Sequence, residues 1–178
     1  MFNLIKPFYM ATGKELFIIR HAKSDWDTVV DDMDRPLTER GVNNAYQMAE
    51  RLKNDGKVPG LLLTSTAVRA FHTAVIMHRV WELENEALLI RPRLYMGSQD
   101  EILQVLAEIP EKEESAAIFG HNPSFTDLAN RFLSEKVDKI HTAGVARFMF
   151  EEGTWKDLGR LQLKEEFVDY PKRKRPVK

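Results

Sequence analysis

Three short stretches of the sequence end in groups suited to one piece of chemistry. Arg20-His21 closes the apolar run Leu16–Ile19. Ser65 follows Leu61–Leu63, with Arg69 one turn into the next segment. Gly120-His121 closes Ala116–Phe119. Each run is continuously apolar and short, the pattern of a fully buried strand. Parallel strands align their carboxyl ends, where α/β sheets place their ligands, so the three stretches can converge on one crevice. Two guanidiniums and two imidazoles around one point suit a tetrahedral dianion, because arginine forks onto phosphate oxygens in bidentate fashion. Asn122-Pro123 reads as N-cap and first helical position, and a helix N-terminus there would add backbone N–H groups and a favourable dipole.

Anion binding alone does not require two histidines. A neutral imidazole at the centre of the cluster can attack phosphorus and hold the phosphoryl group covalently. Neighbouring cations lower its pKa and keep it unprotonated. The second histidine and the arginines would stabilise charge on the equatorial oxygens during transfer. This chemistry needs neither metal nor cofactor. The chain has no HExxH or His-x-His pattern, and His72 and His78 lack carboxylates at ligand spacing.

The elements that must position these groups alternate in type. Strand one is followed by an acidic loop, Lys23–Pro36, carrying Asp25, Asp27, Asp31, Asp32 and Asp34. Thr38 is the expected N-cap of a helix running to about Asn54, with Val42, Ala45, Ala49 and Leu52 as its buried stripe. Leu61–Leu63 is strand two. A helix over roughly Ala67–Leu83 follows, with Phe71, Ala74, Val75, His78 and Trp81 facing inward. Leu88–Ile90 is strand three, Gln99–Ile109 a helix, Ala116–Phe119 strand four, and a further helix runs to about Leu133. Val145–Phe150 and Trp155–Leu161 flank Glu152-Gly153 and read as an antiparallel hairpin. The expectation is a three-layer α/β/α sandwich with a mostly parallel central sheet and an antiparallel C-terminal hairpin.

Composition sets wider bounds. A length of 178 residues suits one domain with a real core, and 43% hydrophobic with 30% charged residues reads as soluble and globular. No apolar run approaches the ~20 residues of a membrane span. Met1–Gly13 has no long apolar region or cleavage site of a signal peptide. The absence of cysteine excludes disulfides and thiolate nucleophiles and agrees with a cytoplasmic setting. A net charge of -1 gives no global reason to expect nucleic acid. The expected organisation is an N-terminal arm over 1–14, a domain over 15–165 and a basic tail over 166–178. In the tail, Lys172–Lys178 carries five basic residues in seven. Trp26, Trp81 and Trp155 read as packing residues, and His72 and His78 as ordinary core-edge or surface residues. His141 has no assigned role, and a monomer is favoured.

Taken together, Arg20-His21, Ser65-Thr66-Ala67-x-Arg69-Ala70-x-x-Thr73-Ala74 and Gly120-His121-Asn122-Pro123 resemble the histidine phosphatase superfamily, with its phosphoglycerate-mutase-like fold. The Arg20–Trp26 opening, the Arg35-Pro36-Leu37-Thr38-x-x-Gly41 segment and the short chain resemble the small SixA-type phosphohistidine phosphatases most closely. The resemblance spans about Leu16–Leu161. It implies His21 as nucleophile, Arg20 and Arg69 as phosphate ligands, His121 as second pocket histidine, and Asn122 beside the pocket. Larger members carry a carboxylate general acid after the third strand. Here Arg93-Leu94-Tyr95-Met96 stands in that place. Asp25, Asp27 and Asp34 are the candidates to replace it.

A site without a dedicated acid favours phosphohistidine, whose P–N bond is weak, over a phosphoester, which leaves as an alkoxide. The expected partner is therefore a phosphorylated protein. The alternatives are a small-molecule phosphomonoesterase and a phosphate-binding or docking module without turnover. An acidic loop over the site would repel a doubly charged phosphoacid, which counts against a mutase.

Overall fold

The computed structural model describes residues 13–173. The strands are β1 (Gly13–Arg20), β2 (Leu61–Thr64), β3 (Leu88–Ile90), β4 (Ser115–Gly120), β5 (Val145–Glu152) and β6 (Leu163–Asp169). The helices are α1 (Glu39–Asn54), α2 (Val68–Val80), α3 (Gln99–Ala107) and α4 (Ser124–Phe132). The strands form one sheet in the order β3-β2-β4-β1-β5-β6. β3, β2, β4 and β1 run parallel, while β5 is antiparallel to both β1 and β6.

Side-chain alternation along β1 divides the core in two. Leu16 and Ile18 pack with α3, α4 and Trp155, whereas Phe17 and Ile19 pack with α1 and α2. Helices therefore cover both faces, as a fully apolar parallel sheet requires. The expected α/β architecture is the observed one. The chain leaves β1 towards the α1 face and leaves the adjacent β4 towards the α4 face. A crevice opens between neighbouring strands whose connections diverge in this way. No helix among the described residues is long and apolar enough to cross a membrane.

The hairpin differs from expectation in its second strand. Trp155–Arg160 is a 3-10 turn, and β6 lies beyond it at Leu163–Asp169. Trp155 and Leu158 are the buried residues of the turn, and a spacing of three is what a 3-10 helix eclipses. β6 continues past the boundary expected at 165, so part of the supposed tail belongs to the sheet. It is an edge strand, and Lys164 and Glu165 stand exposed on it. At the other end, β1 begins at Gly13 and Lys14 is 2% exposed, with its Nζ donating to the carbonyls of Glu111 (2.9 Å) and Glu113 (3.2 Å). The rest of the expected arm, 1–12, and positions 174–178 of the tail lie outside the described residues.

Two further readings change. Phe71 is 37% exposed, because α2 turns Ala70, Thr73, Ala74 and Met77 inward instead. Trp26 is 76% exposed and stacks under the Arg35 guanidinium at 3.4 Å, while Trp81 and Trp155 do pack in the core.

Candidate active site

Strand register brings the expected residues together. Arg20 on β1 pairs with Gly120 on β4, so His21 and His121 leave the sheet side by side. Their rings lie 5.0 Å apart between centroids. Thr64 pairs with Phe119, which places Ser65 next in line, and its hydroxyl lies 2.9 Å from His121 Nε2. Gly120 is required at the end of β4, since a Cβ there would lie 2.4 Å from the Phe125 ring of α4. Gly41 is required on α1, where a Cβ would come 2.1 Å from the Lys23 carbonyl oxygen. The first turn of α1, capped by the Thr38 hydroxyl, thus presses directly on the loop that follows His21. Thr73 ties that loop to α2, accepting from the Ala22 N–H (3.0 Å) and donating to the Arg69 carbonyl (2.7 Å).

His21 is 8% exposed, and its Nδ1 sits 2.7 Å from the Ala22 carbonyl oxygen. A carbonyl can only accept, so Nδ1 carries the proton and the lone pair is left on Nε2. Burial lowers the His21 pKa to about 4, with the Arg69, Arg20 and Arg35 charges acting the same way against the Ala22 hydrogen bond. Burial, then the charges of His21, Arg69 and Arg20, lower His121 to about 3 despite Asp32. Both imidazoles are neutral at pH 7.

These depressed values predict an acid limb of stability. The unfolded chain takes up protons on both histidines below the ordinary value of 6.5, and the folded chain refuses them until about 4 and about 3. Stability contributed by the neutral rings is therefore present above 6.5 and lost as pH falls towards those values. Thermal unfolding followed from neutral pH down to about pH 5, where carboxylates are still ionised, should show a falling Tm. The double variant His21→Gln/His121→Gln should lose most of that slope.

The arginines are held from behind. Arg20 donates to the Ile140 carbonyl at 2.9 Å, and the Asn122 amide reaches the same oxygen at 3.1 Å. Arg69 is 4% exposed and donates to the Asp32 backbone carbonyl and, at 2.8 Å, to its carboxylate. Four buried polar atoms in this cluster have no hydrogen-bond partner among the described residues: Arg20 Nε, Arg69 Nε, His121 Nδ1 and Asn122 Oδ1. Three of the four are nitrogens of cationic or imidazole groups. A phosphoryl group has the oxygens to satisfy such donors.

Asp32 is the residue that motif reading missed. Its carboxylate accepts from Arg69, from Arg35 (3.0 Å) and from the Tyr95 hydroxyl (2.9 Å). Burial would raise its pKa, but the hydrogen bonds from Arg69 and Tyr95 and the charges of Arg69 and Arg35 prevail and lower it to about 2. It is therefore a carboxylate at neutral pH and has no proton to give. None of the three expected acid candidates takes its place. Asp25 caps its own turn, accepting from Thr28 (2.7 Å) and the Asp27 N–H (2.9 Å). Asp27 and Asp34 are exposed. Tyr95, in the segment after β3 where the resemblance led to the expectation of an acid, has its ring 5.5 Å from that of His121.

At α4 the expected cap shifts by one residue. Pro123 is the N-cap and the helix starts at Ser124, after a cis Asn122-Pro123 peptide. Of its first-turn amides, that of Phe125 is engaged by the His121 carbonyl at 3.2 Å.

Comparison with known proteins finds relatives by sequence and by fold. Residues 16–94 match the model of the histidine phosphatase superfamily, branch 1. The chain is 29% identical over 158 residues to an uncharacterised chloroplastic protein of Arabidopsis thaliana, covering 84% of this chain and 72% of the relative. It is 31% identical over 107 residues to a 2,3-bisphosphoglycerate-dependent phosphoglycerate mutase of Streptomyces griseus, covering 56% of this chain and 42% of the mutase. A structure assigned to phosphohistidine phosphatase SixA of Nakamurella multipartitia superimposes with a TM-score of 0.69 at 26% identity, over 92% of this chain and 99% of that one. A protein histidine phosphatase SixA complexed with tungstate gives a TM-score of 0.73 at 22% identity, over 88% and 97%. The last likeness is one of fold. Together these matches bear out the resemblance to the histidine phosphatase superfamily.

Proposed function

We propose that this protein is a metal-independent phosphatase that carries the phosphoryl group on His21 and takes it from phosphohistidine in a protein. The observation that supports this best is the Nδ1–H of His21 held by the Ala22 carbonyl, which leaves Nε2 as an unprotonated nucleophile among cations. In the first step the Nε2 lone pair forms a bond to phosphorus as the bond to the leaving nitrogen breaks. The leaving ring keeps that electron pair. If its other nitrogen is protonated, it departs as neutral imidazole and needs no proton donor. Arg20, Arg69 and His121 stabilise the charge on the phosphoryl oxygens. In the second step water attacks phosphorus and the N–P pair returns to Nε2. The water proton leaves with phosphate or passes to solvent. Nδ1 keeps its proton throughout.

The state of Asp32 supports the phosphoramidate reading. An alkoxide leaving group wants an acid near neutral pH, and the carboxylate nearest the cluster is ionised down to about 2. The test is a comparison of rates, in EDTA, on a phosphohistidine protein, a phosphoserine peptide and p-nitrophenyl phosphate. The expected order is phosphohistidine first, the activated aryl ester next and phosphoserine last. Preference for phosphoserine would overturn the substrate reading. Inactivity on all three would favour a binding module.

A further inference from the structure

A second cluster of cations borders the first. A cavity of about 360 Å³ is lined by Lys23, Arg40, Asn44, His141, Thr142, Tyr170, Pro171 and Lys172. Two of its walls are the loops that hold His21. Lys23 follows His21 by two residues, which puts their Cα atoms within about 7.6 Å. On the other side, the Ala143 N–H just after Thr142 donates to the His21 carbonyl at 3.1 Å, and Ile140 just before His141 is the anchor of Arg20.

The third wall is held in place as well. Arg51 of α1 pairs with Asp169 at 3.1 Å and donates to the carbonyls of Tyr170 (3.2 Å) and Pro171 (3.3 Å), which fixes the approach to Lys172. The His141 and Tyr170 rings stack at 4.4 Å. None of Lys23, Arg40 and Lys172 forms an ion pair among the described residues. Three like charges around one concavity repel each other unless an anion joins them. The volume lies at the small end of the range of ligand pockets.

We infer that this cavity is an anion subsite, taking a second phosphate or carboxylate group carried by the substrate beside its phosphoryl group. The inference rests on the phosphatase reading above and deepens it. It also changes the weight of the acidic loop. The Asp32 charge is engaged by Arg69 and Arg35, so it does not screen the mouth against a doubly charged substrate. The opposite flank of His21 is basic.

The test uses Lys23→Ala and Arg40→Ala, neither of which touches the phosphoryl cluster. Four substrates are compared: phosphohistidine peptides flanked by glutamate or by glutamine, and the mono- and bisphosphates of 1,3-propanediol. Loss of one charge-assisted donor should raise KM roughly ten-fold for the doubly anionic member of a pair. The singly anionic member and p-nitrophenyl phosphate should be unaffected, and the difference should shrink in about 1 M salt. An effect confined to the peptides assigns the second anion to a protein, and one confined to the bisphosphate assigns it to a small molecule. Equal effects on both members of each pair, or none, would overturn the subsite. Failure of the wild type to turn over any of these substrates would count against the phosphatase reading instead. The subsite would then be read by calorimetric titration of the bisphosphate into wild type and Lys23→Ala, equal affinities overturning it.

Discussion

His21→Ala is expected to remove turnover while sparing anion binding. Loss of a covalent nucleophile costs on the order of 10⁶ in kcat, because the reaction path itself goes. The donors behind the anion are not disturbed. Arg20 is anchored on Ile140, Arg69 on Asp32, and His121 on the Ser65 hydroxyl, none of them through the His21 ring. The Ala22 loop keeps its bond to Thr73 and its contact with Gly41 of α1. Vanadate or phosphate should therefore bind the variant within a few-fold of wild type, measured by calorimetry. Near-normal turnover by His21→Ala would mean that a hydroxyl such as Ser65 or Ser124 is the nucleophile.

Arg69→Ala is expected to behave differently, weakening anion binding and slowing the chemical step together. In the proposed mechanism its guanidinium faces the phosphoryl oxygens before and during transfer, and losing one such preorganised donor costs about 10²–10³ in turnover. Arg69→Lys should recover only part of this. A lysine supplies the charge, but it cannot hold Asp32 and also fork onto phosphate oxygens. The fold should survive the change. The Thr73 hydroxyl bonds the Arg69 backbone, not its side chain, and Asp32 keeps Arg35 and Tyr95. A drop in kcat with unchanged KM would mean that Arg69 acts only in the transition state, against the expected weakening of anion binding.

How much of this was legible in the sequence follows from where each residue sits. Arg20, His21, Ser65 and His121 stand at the ends of apolar runs, so strand register alone brings them together. Arg69 follows one turn later on a helix whose direction is set by the same strand. Asp32 was not legible. The loop offers five aspartates, and a 3-10 turn over Asp32–Asp34, braced by Arg35 on Ser24, decides which one reaches Arg69. The basic cavity was not legible either, because Lys23, Arg40, His141 and Lys172 come from four separate segments that meet only after β6 pairs with β5. β6 itself was hidden. Its run Leu163-Lys164-Glu165-Glu166 looks like the start of a charged tail, while Trp155, Leu158 and Leu161 have apolar spacing that suits a turn as well as a strand.

Whether the phosphoryl group rests on His21 is read by rapid quenching of wild type with labelled substrate. The expected phosphoenzyme is stable to base and labile to acid, as a phosphoramidate is, with the label on His21 and absent from His21→Ala. A label that survives acid, or that maps to Ser65 or Ser124, would contradict it.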